Sequence, residues 1–71
     1  MKYVWLIYDE RAIHGDTDSA QVLETCRSER EARRSIFSGV VFRYDVDPSN
    51  NALSNEFQVG PTKQLAREIR R

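Results

Sequence analysis

A chain of 71 residues makes one domain, and at that size only about 60% of the unfolded surface is buried, so the core is thin. Eleven basic residues balance eleven acidic ones, which counts against bulk attraction to nucleic acid. Hydrophobic residues at 39%, with seven aromatics among them, argue against a disordered chain.

Residues 2–9, KYVWLIYD, are aromatic and β-branched and read as a strand. Tyr3, Trp5 and Ile7 fall on one face, Val4, Leu6 and Tyr8 on the other. Apolar residues on both faces suggest a central place in a sheet. The apolar run Tyr3 to Tyr8 is too short for the core of a signal peptide, and Asp9 and Glu10 follow at once. It also falls well short of the ~20 residues that span a bilayer.

Residues 10–20 have no clear period. Gly15 beside Asp16, Thr17, Asp18 and Ser19 is turn chemistry, so this stretch reads as an exposed loop. Asp16 and Asp18 resemble the start of a calcium loop. That pattern needs glycine at position six and glutamate at twelve; here those positions hold Gln21 and Arg27. No metal site and no cofactor is expected.

Residues 21–26 form a second strand ending in Cys26, the only cysteine. A lone cysteine makes no intramolecular disulfide, so the reducing cytoplasm is the simplest compartment. A reactive thiol would need a lowered pKa and usually a histidine partner. The one candidate is His14 in the preceding loop. An inert strand cysteine is the commoner case.

Ser28 followed by Glu31 is a capping-box pattern, and it predicts a helix over residues 29–38 that Gly39 terminates. At 100° per residue, Ala32, Ser35 and Ile36 form the buried face. Arg30, Arg33 and Arg34 form the opposite stripe, with Phe37 near the same angle. Arginines beside an aromatic can grip phosphate and stack on a base. A solvated helix face looks the same.

Residues 40–47 alternate: Val40, Phe42, Tyr44 and Val46 one way, Val41, Arg43, Asp45 and Asp47 the other. After a PSNN turn, residues 52–60 place Leu53, Phe57 and Val59 on one face. Together they read as a hairpin. Pro61 then opens a short helix with Leu65 and Ile69 on one side and Lys63, Arg67 and Arg70 on the other.

The order β-β-α-β-β-α predicts an α+β domain. Its antiparallel four-stranded sheet carries both short helices on one face. The expected core is Val4, Leu6, Leu23, Ala32, Ile36, Phe42, Tyr44, Phe57, Leu65 and Ile69. A sheet face left bare would expose Tyr3, Trp5 or Tyr8, and exposed aromatics suit a protein interface. Gly15, Gly39 and Gly60 stand alone, so there is no phosphate-cradling loop. The leading expectation is a non-enzymatic, cytoplasmic interaction module that binds a protein or a second copy of itself, as small bacterial or phage accessory proteins do. The alternative is nucleic-acid binding through Arg30, Arg33, Arg34, Phe37, Lys63, Arg67 and Arg70. An enzyme using Cys26 comes third. No membrane association is expected.

Overall fold

The computed structural model describes residues 2–69. Four strands, β1 (Lys2–Tyr8), β2 (Val22–Cys26), β3 (Val40–Val46) and β4 (Leu53–Pro61), and two helices, α1 (Glu29–Arg33) and α2 (Lys63–Ile69), follow in the expected order. The sheet runs β2-β1-β3-β4, and every neighbouring pair is antiparallel. The α+β class and the antiparallel four-stranded sheet therefore stand. β1 is central, as its two apolar faces imply.

The placement of the helices on one face is corrected. Buried residues form two clusters on opposite sides of the sheet. One holds Ile7, Cys26 and Val41 with Ala32 of α1. The other holds Tyr8, Val40, Phe42 and Tyr44 with Leu65 of α2 and Ala12. The reason lies in β1, whose apolar side chains point both ways and need cover on both sides. Connectivity helps. β2 and β3 are both antiparallel to β1 and flank it, so the link between them must cross one face, and α1 lies in that link. The chain leaving β4 then covers the other.

Ala12 belongs to a 3-10 helix over Glu10–His14, where a loop was expected. Asp9 starts it, its carboxylate accepting the Arg11 N–H at 3.1 Å and the Gln21 N–H at 3.2 Å. Gly15 ends it with a left-handed φ of 91° that favours glycine.

α1 is shorter than predicted. Ser28 caps it as expected, its Oγ accepting the Glu31 N–H at 3.1 Å, but the helix stops at Arg33. The cause is Ser35, whose hydroxyl donates to Glu24 of β2 at 2.7 Å and accepts the Phe37 N–H at 3.1 Å. A serine that bonds elsewhere competes with the helix ladder. Helical geometry then no longer applies to Ile36, which is 86% exposed and not in the core. Phe57 and Ile69, also expected in the core, are exposed as well.

Gly39 is not the helix stop but a point of close approach. A side chain there would run into the Tyr8 carbonyl and the Ile7 side chain. Its N–H donates to Thr62 Oγ1 at 3.2 Å, and its carbonyl accepts the Thr62 N–H at 2.9 Å. Thr62 is fully buried. Its hydroxyl also donates to the Phe37 carbonyl at 2.9 Å and accepts the Leu65 N–H at 3.3 Å. One threonine thus caps α2 and ties it to the strand opposite.

Candidate interaction face

Burial is uneven along the sheet. Where β1 ends and β3 begins, Ile7, Val40, Val41 and Phe42 are enclosed. Toward the start of β1 and the hairpin turn, side chains come to the surface: Tyr3 is 39% exposed, Leu53 46% and Phe57 53%. α1 covers only the enclosed half of its face.

The uncovered half carries an ordered row. Register sets Trp5 opposite Arg43 and Arg43 opposite Phe57; Tyr3 is the diagonal neighbour of Arg43, a position within reach of a long side chain. The Arg43 guanidinium lies 4.9 Å from the centroid of Tyr3 and 4.9 Å from that of Phe57, each a cation–π distance. The Tyr3 and Trp5 rings sit 6.1 Å apart. The Trp5 indole N–H is shielded and has no hydrogen-bond partner.

Beside this row the sheet edge is open. The β1–β2 ladder begins at Trp5 and Cys26, so Lys2, Tyr3 and Val4 have no partner strand on that side. A groove of about 1020 Å³ runs there, lined by Lys2, Trp5, Arg27, Val46 and Leu53 among others, with no carboxylate among the described residues of its lining.

Of the predicted aromatic trio, Tyr3 and Trp5 share this face. Tyr8 lies on the opposite one, buried, edge-on to Phe42 at 5.4 Å. Its hydroxyl meets that of Tyr44 at 2.9 Å, and Tyr44 donates to Glu56 at 2.6 Å. Tyr44 has spent its proton on the carboxylate, so Tyr8 is the donor in that pair. Burial first, then the bonds to Glu56 and Tyr8, push the Tyr44 pKa up.

The basic residues disperse. Arg33 pairs with Glu29 at 3.1 Å. Arg30 is exposed on α1. Arg34, Lys63 and Arg67 line a shallow cleft of about 200 Å³ with Ile36. Phe37 is partly exposed at 39%. Arg70 lies outside the described residues.

Cys26 is buried and free. Burial foremost, then the negative charges of Glu24 and Glu31, raise its pKa from 9.0 to about 11, so the thiol stays protonated at neutral pH. The 3-10 helix that carries His14 packs on the other side of the sheet. Asp16 accepts from the Asp18 N–H at 3.1 Å and from Ser19 Oγ at 2.9 Å, which is turn chemistry. Among the described residues no three His, Cys, Asp or Glu gather as metal ligands, and no helix is long and apolar enough to cross a membrane.

Sequence reasoning missed Arg43 and Phe57. Alternation alone sets Arg43 outward and Phe57 in the core. The clue was the alternation of Val41, Arg43 and Asp45, but without the register nothing linked Arg43 to Tyr3. No family model, curated protein or solved structure matches this chain.

Proposed function

We propose that the chain is a non-enzymatic module that binds a protein partner through the uncovered half of the α1 face. The row of Tyr3, Trp5, Arg43 and Phe57 carries this reading. Tyrosine, tryptophan and arginine are the residues that dominate binding energy at protein interfaces. Packing them into one row before any partner arrives reduces the ordering cost on association. The open strand edge alongside gives the partner a second wall. A buried, protonated cysteine fits a cytoplasmic setting and a non-catalytic role for that thiol.

Photo-crosslinking in cells that make the protein tests the reading. Benzoylphenylalanine at position 57 should yield discrete crosslinked products; at position 36, exposed near the enclosed half, it should not. Equal products from both positions, or none from 57, would contradict it.

A second reading rests on the cleft between the segment that follows α1, residues 34–36, and α2. It gathers Arg34, Lys63 and Arg67 from distant parts of the chain, with no acid among the described residues of its lining, and would suit phosphate. Oligonucleotide binding that weakens steeply with salt and disappears in Arg34→Glu, Lys63→Glu, Arg67→Glu would favour it.

A further inference from the structure

We propose that the partner presents an acidic segment and that Arg43 receives one of its carboxylates. This inference rests on the protein-binding reading and adds the partner's chemistry to it.

Arg43 is only partly exposed. Rings stand 4.9 Å from its guanidinium on two sides, Tyr3 and Phe57. Rings hold a guanidinium by its flat faces and leave the N–H edge uncovered. Among the described residues the only ion pair is Arg33 with Glu29, so Arg43 has no carboxylate within ion-pair reach. Its guanidinium likewise donates no hydrogen bond to a described residue. The nearest acid on the same face along β3, Asp45, accepts the Asn55 side-chain amide at 2.7 Å. The N–H fork of Arg43 is therefore fixed in place and unspent. A carboxylate is the group whose two oxygens match such a fork.

The adjoining groove is basic. Among the described residues its lining at the β1 edge holds Lys2 and Arg27 and no acid. Of the acids on this side, Glu24 and Glu31 lie close enough to Cys26 to raise its pKa, in the half that α1 covers, and Asp45, opposite Tyr3 in the open half, is bonded to the Asn55 amide. Pairing with Val46 puts Lys2 on the opposite face of the sheet, so a segment lying on the open half meets Arg43 first, with Arg27 in the groove beside it and the Asp45 carboxylate already held by Asn55. Charge complementarity of this kind selects an acidic partner and disfavours a basic one. A second copy of this chain would bring the same cations toward one another.

Peptides selected from a random display library on the full-length protein test the proposal. Selected peptides should share an aspartate or glutamate. Changing that residue to Asn or Gln should weaken binding at least tenfold. Arg43→Gln should weaken it equally, and Arg43→Lys, which keeps the charge but loses the fork, should recover only part. Combining Arg43→Gln with the neutral peptide should give little further loss, since both changes remove one contact. The peptide change leaves the protein's folding untouched, so a misfolded variant cannot mimic the result. Peptides that bind the row, as judged by loss in Phe57→Ser, yet are indifferent to removal of their acid overturn the carboxylate assignment and leave the protein-binding reading standing. Failure to select any peptide that binds wild type better than Phe57→Ser overturns both. Self-association that Arg43→Gln abolishes overturns the acidic-partner assignment in favour of a second copy.

Discussion

Phe42 and Phe57 stand on neighbouring strands, one register step apart, and have opposite surroundings. Phe42 is 2% exposed, with Tyr8 edge-on against it and Leu65 in the same cluster. Phe57 is 53% exposed and touches the guanidinium of Arg43. The contrast extends to the two ends of the sheet. At the enclosed end the Gly39–Thr62 latch draws α2 against β3, and Ala32 seals the other side. At the open end neither helix reaches; Tyr3, Arg43 and Phe57 come to the surface on one face and Leu53 on the other. A domain with little apolar material keeps a few residues wholly dry at one end. The other end leaves Tyr3, Leu53 and Phe57 partly exposed.

The largest test of this division is Phe42→Ala. Deleting a buried ring should cost about 3–5 kcal/mol, much of the stability of so small a domain. Urea unfolding followed by circular dichroism measures it, and a loss under about 1 kcal/mol would place that ring outside the core.

Next comes alkaline pH. The folded pKa of Cys26 is raised from 9.0 to about 11, so the native state holds its proton where the unfolded chain gives it up. Stability from this group is complete below pH 9 and is lost as pH rises toward 11. The loss is up to about 3 kcal/mol at 1.36 kcal/mol per unit. Tyr44, shifted the same way, adds to the decline at higher pH. Cys26→Ala should flatten the fall in melting temperature between pH 9 and 11; an unchanged slope would show that the thiol is not desolvated.

Thr62→Val keeps the shape but removes the hydroxyl shared by Phe37, Gly39 and Leu65. Leaving buried groups unpaired costs about 1–3 kcal/mol. Hydrogen exchange should quicken first in α2 and at Gly39; uniform quickening along the whole sheet would mean that the latch is not local. Ser28→Ala should cost about 1 kcal/mol and Ser28→Asp almost nothing, because both native residue and aspartate accept the Glu31 amide. Equal urea midpoints for all three proteins would deny the cap a role.

What could be read from residues alone follows from the range of each signal. Strand alternation and the Ser28 cap act over a few positions, and both were legible. Failures came where a distant group decided the outcome. Ser35 leaves the helix because Glu24, eleven residues earlier, takes its hydroxyl. Alternation sets Leu53 and Phe57 on one face, but Leu53 pairs with Val46 and Phe57 with Arg43, residues on opposite faces. Between them Asn55 takes a left-handed φ of 54°, where the ladder is irregular, and such a bulge reverses the alternation beyond it. The same shift decides which side chains join the candidate face. Tyr3 was legible as an exposed aromatic, whereas Trp5 is partly buried against the Ile7 cluster; Arg43 between two rings required the register of three strands.

The most direct measurement sets Phe57→Ala beside Phe42→Ala in the same urea titration. A small effect is expected from Phe57→Ala: less than about 1 kcal/mol, since the ring is half exposed and its contact with Arg43 is a surface one. A loss from Phe57→Ala as large as that from Phe42→Ala would show that the open end is part of the core and is not a face kept for a partner.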